Sequence, residues 1–466
     1  MSWMNERFQD LGERPVAIGQ SGPVTYAAFA IRIGQWRATI QEWGIAAGDR
    51  VALVADYHIE VVALLQALID SGCIVVPLSE EERGLFGERL ATACANWIIT
   101  VPGDGEPAPG RVACRPLAAG VALHPLLARM AQEGRPGFVI FTSGTTGKGK
   151  AVLLDHGRMT AKYRQRVGKP FRTLLFLKLD HIAGLNSLFS VMFNGGTIVI
   201  CASRQAREIC DRIEKAAVEA FSTTPSFLTM LLMSGLHKQH DLSSLRVINY
   251  GTEVMPDSTL AGLHQAFPDV DFRQGYGLSE LGVLPTRSKD SASRWMRIGG
   301  HGYEVKVEGG TLRIRSGQAM VGYLNAPNPF DADGWYDTGD RVEVDGEYFR
   351  ILGRESEIIN VGGEKVFPAE VENFLLTLDN VKDVVVREKR SPVVGQLIWA
   401  EFLLAGAEDP QAFKKRIAAH CRQHLAPFKV PGLITIAGSD SLAGSRFKKI
   451  RKTGLEGPAP GPQRQA

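Results

Sequence analysis

Several features are missing from this 466-residue sequence, and each absence removes a class of function. There are only six cysteines, Cys73, Cys94, Cys114, Cys201, Cys210 and Cys421, and none forms a C-x-x-C pair. That spacing argues against a zinc site or a disulfide scaffold and favours reduced thiols in a cytoplasmic protein. No run of about 18 apolar residues exists to span a bilayer. The polar stretch Met1 to Asp10 has no apolar segment of the kind a signal peptide needs, so none is expected. Excess charge is also lacking. A net +3 gives no electrostatic case for nucleic acid or an anionic membrane as partner. The G-x-x-x-x-G-K-[ST] loop of conventional P-loop NTPases is absent, and no repeat of solenoid period occurs.

What is present belongs to a globular protein of two to four domains: 44% hydrophobic and 22% charged residues over a length too great for one ordinary domain. Arg50 to Ala55 reads as a buried strand. His58 to Ser71 carries apolar residues at helical spacing and stops at Gly72, and Cys73 to Leu78 is a second strand. This βαβ unit implies a parallel sheet covered by helices. The alternation resumes with strands expected at Arg172 to Lys178, Thr197 to Cys201, Ala220 to Thr223, Arg246 to Tyr250 and Val270 to Gln274. The fold class is therefore α/β, a large doubly wound N-terminal body reaching about residue 285. Beyond it, Tyr303 to Arg315 and Arg341 to Ile351 alternate apolar and polar residues around Gly309–Gly310 and Asp345–Gly346, as β-hairpins do. The expected domains are 1–353, with a β-rich part at about 286–353, then a small α+β C-terminal domain at 354–455. Val101 to Gly110 and a tail at 456–466 read as unstructured.

Phe141 to Lys150, FTSGTTGKGK, carries the most chemistry. It follows the apolar run Gly137 to Ile140. It sets the hydroxyls of Thr142, Ser143, Thr145 and Thr146 among Gly144, Gly147 and Gly149, with Lys148 and Lys150 beside them. Glycines let backbone N–H groups approach an anion, and hydroxyls and ammonium groups complete a phosphate cradle. The bland alternative is a flexible Gly/Ser/Thr loop.

This loop resembles the signature of the acyl-adenylate-forming (AMP-binding) superfamily, most closely its acyl-CoA synthetases. Further motifs similar to that family follow in order: Tyr250–Gly251–Thr252–Glu253, Gly275–Tyr276–Gly277–Leu278–Ser279–Glu280, Gly322–Tyr323, Gly334–Trp335–Tyr336–Asp337–Thr338–Gly339–Asp340, Gly353–Arg354, Gly362–Gly363 and a basic segment around Lys449. The likeness extends over about residues 15 to 455. It implies a ligase that uses ATP and Mg2+ to convert a small-molecule carboxylic acid to acyl-AMP with release of pyrophosphate, and then loads the acyl group onto CoA. An acyl carrier protein's phosphopantetheine is the alternative acceptor, and a non-catalytic nucleotide-binding protein the alternative class. The C-terminal domain is implied to move between the two half-reactions.

The resemblance also implies roles. Thr142, Ser143, Gly144, Thr145, Thr146, Gly147 and Lys150 would hold phosphates. Gly251, Thr252, Glu253, Tyr276, Gly277 and Ser279 would wall the nucleotide and acyl sites, with Tyr276 near adenine. Glu280 would be the metal ligand, a single hard carboxylate suiting a cation that keeps its waters and bridges phosphates. Asp340 would grip the ribose hydroxyls and Arg354 support them. Gly362 and Gly363 would let the pantetheine arm pass; a plain hairpin turn is the competing reading, and the two are compatible. His181, in Leu179–Asp180–His181, would line the acyl pocket. Lys449 would serve adenylation, with Lys448 left open because position 448 departs from the family's glycine and Lys452 stands where arginine is usual. Gly149 replaces the usual proline of the loop, and Ser356 replaces a charged residue at the hinge. For Y-D-T-G-D a surface turn is the competing explanation.

Overall fold

The computed structural model describes residues 3–19, 22–102, 111–118, 122–142, 149–165, 168–300, 302–391 and 395–438. Two seven-stranded sheets dominate the first two thirds of the chain. The βαβ reading holds: strand Arg50–Val54, helix Ile59–Asp70 and strand Ile74–Leu78 follow one another, with the two strands parallel from Arg50↔Ile74 to Val54↔Leu78. The helix is buried on nearly every side, since it lies between sheets. Strands Gly137–Thr142 and Lys150–Asp155 extend this sheet as an antiparallel hairpin, paired from Gly137↔Asp155 to Thr142↔Lys150.

The other sheet holds Ala220–Thr223, Val247–Tyr250 and Asp271–Gln274 in parallel register. Of the expected strands, Ala220 to Thr223 has its anticipated bounds, whereas the first shortens to Arg172–Leu174 and the second to Thr197–Val199. The chain crosses between the sheets. The N-terminal pair Pro15–Gly19 and Gly22–Thr25 joins this second sheet through Ala17↔Ile198, and the short strand Gly322–Tyr323 returns to the first through Tyr323↔Val152. One continuous core of buried residues, including Phe8, Phe29, Trp36, Phe138, Phe189 and Phe193, lies between them.

The β-rich region forms a six-stranded sheet containing Tyr303–Glu308, Thr311–Ser316, Tyr336–Asp345 and Tyr348–Arg354. After a single 3-10 turn at Glu355–Glu357, the chain builds a separate core around Val384, Val386, Phe402, Phe413 and Ile417. Its strands Val381–Ser391 and Gly395–Leu404 are antiparallel and packed by helices Pro368–Leu375 and Pro410–His424. No helix among the described residues is long and apolar enough to cross a membrane. Residues 103–110 and the tail at 456–466 lie outside the described residues.

Candidate active site

Strands Val247–Tyr250 and Asp271–Gln274 end side by side, and the backbone turns immediately after each. Gly275 N donates to Tyr250 O at 2.7 Å. A Cβ on Gly251 would stand 2.7 Å from Gly275 O, so the two strand ends close only because residue 251 has no side chain. Thr252 then takes φ 73°, a left-handed conformation rare for a β-branched residue and held here by the turn. Glu253 follows, and its Oε2 accepts from Ser226 N at 3.2 Å and Ser226 Oγ at 2.6 Å, which ties the turn to the start of helix Pro225–Ser234. Gly251→Ala is expected to cost about 2 kcal/mol. Thermal melting and ATP titration should show lower stability and weaker nucleotide binding together.

After Gly275 the chain makes a tight hairpin, Tyr276–Leu278 against Gly282–Leu284. Ser279 and Glu280 lie in its turn and are both buried. Tyr276 O–H donates to Asp340 Oδ2 at 2.5 Å, and Arg354 Nε donates to Oδ1 at 3.2 Å. Asp340 and Arg354 are directly opposed across strands Tyr336–Asp345 and Tyr348–Arg354, so sheet register sets their ion pair. The Y-D-T-G-D motif is therefore strand and not a surface turn. Its Thr338 Oγ1 donates to Leu312 O and accepts from Asp340 N, which fixes the aspartate's backbone. Burial pushes the Asp340 carboxyl above its ordinary value, and the Arg354 guanidinium opposes that shift.

Glu280 accepts a hydrogen bond from Tyr323 O–H at 2.5 Å, and Tyr336 joins the same cluster. Burial first, and the Glu280 charge second, push both phenols far above their ordinary value, so both stay protonated as donors. The Lys150 ammonium sits 4.9 Å from the centre of the Tyr323 ring. Asn325 fixes the start of the Lys150 strand, accepting from Ala151 N at 2.8 Å and donating to Gly149 O at 2.9 Å.

Two cavities meet here. One, of about 410 Å³, is lined by His181, Asn186, Ser222, Asn249 and Gly251 among others. The second, of about 110 Å³, is lined by Glu253, Asp340, Arg354, Glu357 and, from helix Pro368–Leu375, Pro368 and Ala369. Thr252, Gly275, Tyr276 and Gly277 form the wall common to both.

The structure thus gathers Gly251, Thr252, Glu253, Tyr276, Gly277, Asp340 and Arg354 around one pair of cavities. It links Lys150 and Glu280 through Tyr323, with Ser279 beside Glu280 and Thr142 opposite Lys150 in the hairpin. His181 caps helix Ile182–Phe193, its Nδ1 accepting from Ala183 N at 3.3 Å. His58 and His124 cap two other helices in the same way, so the capping position alone carries no functional signal. What sets His181 apart is its place on the larger cavity. Asp180 is buried and lines neither cavity. Gly362 and Gly363 stand away from both. They turn the hairpin between Ile359–Val361 and Glu364–Val366 with φ 60° and 97°, and the space where their side chains would be is open. Ser143, Gly144, Thr145, Thr146, Gly147, Lys148, Lys448, Lys449 and Lys452 lie outside the described residues. Tyr336 and Asn325 escaped the sequence reading as site residues, as did the Tyr323 hydroxyl, although Gly322–Tyr323 had marked the segment.

Among solved structures, an anthranilate CoA ligase, AuaEII, in complex with anthranoyl-AMP superimposes with a TM-score of 0.77 at 20% identity, covering 96% of this chain and 95% of that one. The amide bond synthetase McbA from Marinactinospora thermotolerans gives 0.73 at 20% identity, covering 96% and 97%. The fold is that of the adenylate-forming enzymes. The model for the AMP-binding enzymes matches residues 5–324 and that for the AMP-binding enzyme C-terminal domain matches 370–445, and the chain belongs to this family. Relatives by sequence include a feruloyl-CoA synthase from Amycolatopsis sp, 27% identical over 96% of this chain and 98% of that protein. A 2-succinylbenzoate–CoA ligase from Bacillus pumilus is 26% identical over 98% and 97%. The chain is an ATP-dependent, AMP-forming acid–thiol ligase.

Proposed function

We propose that ATP binds with its ribose at Asp340 and Arg354, that a small carboxylic acid occupies the larger cavity, and that the two react across Tyr276. The observation that carries this reading is the common wall: Thr252, Gly275, Tyr276 and Gly277 border both spaces, so a carboxylate in one faces a nucleotide in the other. A carboxylate oxygen attacks the α-phosphorus, the bond to the β-phosphate oxygen breaks, and pyrophosphate leaves with that electron pair. In the second step the sulfur of CoA attacks the acyl carbon, its proton passes to solvent, and AMP departs. Asp340 serves as an acceptor for ribose hydroxyls because each of its oxygens retains a lone pair beyond the bonds from Tyr276 and Arg354. Lys150, with Thr142 and the segment 143–148, meets the phosphates.

Glu280 suits Mg2+. It is a buried carboxylate oriented by phenol donors, and no group of three or more such ligands occurs among the described residues. One protein carboxylate with water and phosphate oxygens is a common arrangement for this ion. When bound, Mg2+ neutralises charge on the phosphates. Glu280→Gln is expected to raise the magnesium concentration needed for half-maximal activity by about tenfold or more, with kcat lowered as well. Normal activity at low magnesium would remove the assignment.

The reading as a whole is tested by acid-dependent pyrophosphate release over a panel of carboxylic acids, followed by thioester formation on adding CoA. Thioester on a phosphopantetheine-bearing carrier protein but not on free CoA would overturn the acceptor and leave the first step standing.

A further inference from the structure

The larger cavity has a chemical bias that its position does not require. Side chains between a parallel sheet and its covering helices are ordinarily apolar. Here Ser222 and Asn249 stand in register on adjacent strands, and both line the cavity. The helix Ile182–Phe193 buries Leu185, Leu188 and Phe189 but turns Asn186, Ser187 and Ser190 to the same space. Among the described residues that line it, none is an aspartate or glutamate.

Asn186 is fixed from behind. Lys162 Nζ donates to its Oδ1 at 2.7 Å, and Tyr163 O–H donates to the same oxygen at 3.1 Å. An ammonium group can only donate, so the amide cannot be turned over, and its NH2 is left as the donor end. Lys162 also donates to Val283 O at 3.3 Å, on the hairpin strand that follows Glu280, and among the described residues no carboxylate pairs with it. Burial lowers Lys162 to about 8, which leaves it mostly charged at neutral pH. An uncompensated cation therefore stands behind a fixed N–H donor, and both favour an electron-rich partner.

We propose that Asn186 is the specificity-determining residue of the acyl cavity: its amide N–H donates to an oxygen of the acyl group other than those of the reacting carboxyl. The substrate is then a carboxylic acid carrying a hydroxyl, carbonyl or second carboxylate in addition to the reacting carboxyl, not a plain hydrocarbon acid. An amine-bearing acid finds no counter-anion among the described residues of these walls. The inference rests on the acid-activating reading given above.

Two matched series test it. One consists of 3-phenylpropanoates bearing a para methyl, hydroxyl, carboxylate or aminomethyl group. The other comprises octanoate, 8-hydroxyoctanoate and the eight-carbon dicarboxylate. In the wild type, kcat/KM for pyrophosphate release should favour an oxygen-bearing member over its hydrocarbon or amine counterpart by about 100-fold, as a site built to hydrogen-bond a substrate does. Asn186→Asp keeps the oxygen that Lys162 and Tyr163 hold but replaces the donor with a second acceptor, so the ratio of the carboxylate-bearing member to its hydrocarbon counterpart should collapse toward one. A wild-type ratio near one in both series overturns the inference, and so does an Asn186→Asp enzyme whose ratio is unchanged. If the variant does not fold, the wild-type ratio decides alone. Pyrophosphate release with none of these acids would instead overturn the acid-activating reading and the inference with it.

Discussion

Lys449→Ala is expected to lower acid-dependent pyrophosphate release by roughly several hundred-fold, the order of losing one preorganised charge at a developing transition state. The attack brings a carboxylate against a polyphosphate, two anions that repel, so a cation at the α-phosphate acts mainly in the adenylation step. The thiol step begins from acyl-AMP, where that repulsion is gone. Thioester formation from supplied acyl-AMP should therefore be largely spared, and single-turnover assays of the two half-reactions separate the outcomes. The assignment is what the family resemblance of the basic segment Arg446–Phe447–Lys448–Lys449–Ile450–Arg451–Lys452 implies. A Lys448→Ala enzyme with this defect, beside a Lys449→Ala enzyme without it, would shift the role by one position. Equal loss of both half-reactions would remove it.

Asp340→Asn should raise the KM for ATP by about 100-fold, the equivalent of losing two charge-assisted hydrogen bonds. The amide must turn an NH2 toward either Tyr276 or Arg354, and both are donors on the wild-type carboxylate. The pH dependence has a definite sign. Burial raises the folded Asp340 carboxyl above its ordinary 3.8, against the pull of Arg354. Its contribution to stability is thus fully present below 3.8 and is lost as pH rises through the raised folded value. ATP binding runs the other way. It weakens on acidification at a higher pH than an ordinary aspartate would cause, because the protonated acid is a poorer acceptor. A pH series of KM and melting temperature should show both trends in the wild type and neither in Asp340→Asn. An unchanged KM in the variant would end the ribose assignment.

The legible parts of the molecule were those set by local periodicity. Helix Ile59–Asp70 and its flanking strands were readable because burial on all sides demands a continuous apolar sequence. Strand Arg172–Leu174 proved shorter than its apolar pattern. Leu175 and Phe176 are as buried as Leu174, but regular pairing ends at Leu174 on both sides, with Val199 and with Phe221, and beyond it only Leu175 N still donates to Val199 O. In the site, Glu280, Asp340 and Arg354 were marked by ordered motifs. The contacts that make them a site were not, since Tyr323 reaches Glu280 across 43 positions and Lys162 reaches Val283 across 121. Such pairs depend on how elements pack, and no local pattern encodes them. The same holds for Asn186, which in sequence is one of three polar residues, with Ser187 and Ser190, in an otherwise apolar helix.

The crossing of the N-terminal hairpin into the far sheet sets a timetable for synthesis. Pro15–Gly19 is synthesised about 180 residues before its parallel partner Thr197–Val199, so it must wait for residue 198 before that ladder can form. Meanwhile the strands from Arg50 to Asp155 can assemble the other sheet, apart from its last short member at Gly322–Tyr323. Nascent chains stalled between these points carry one nearly complete sheet and one orphaned hairpin with an open edge. This is the species in which intermolecular strand pairing competes with folding.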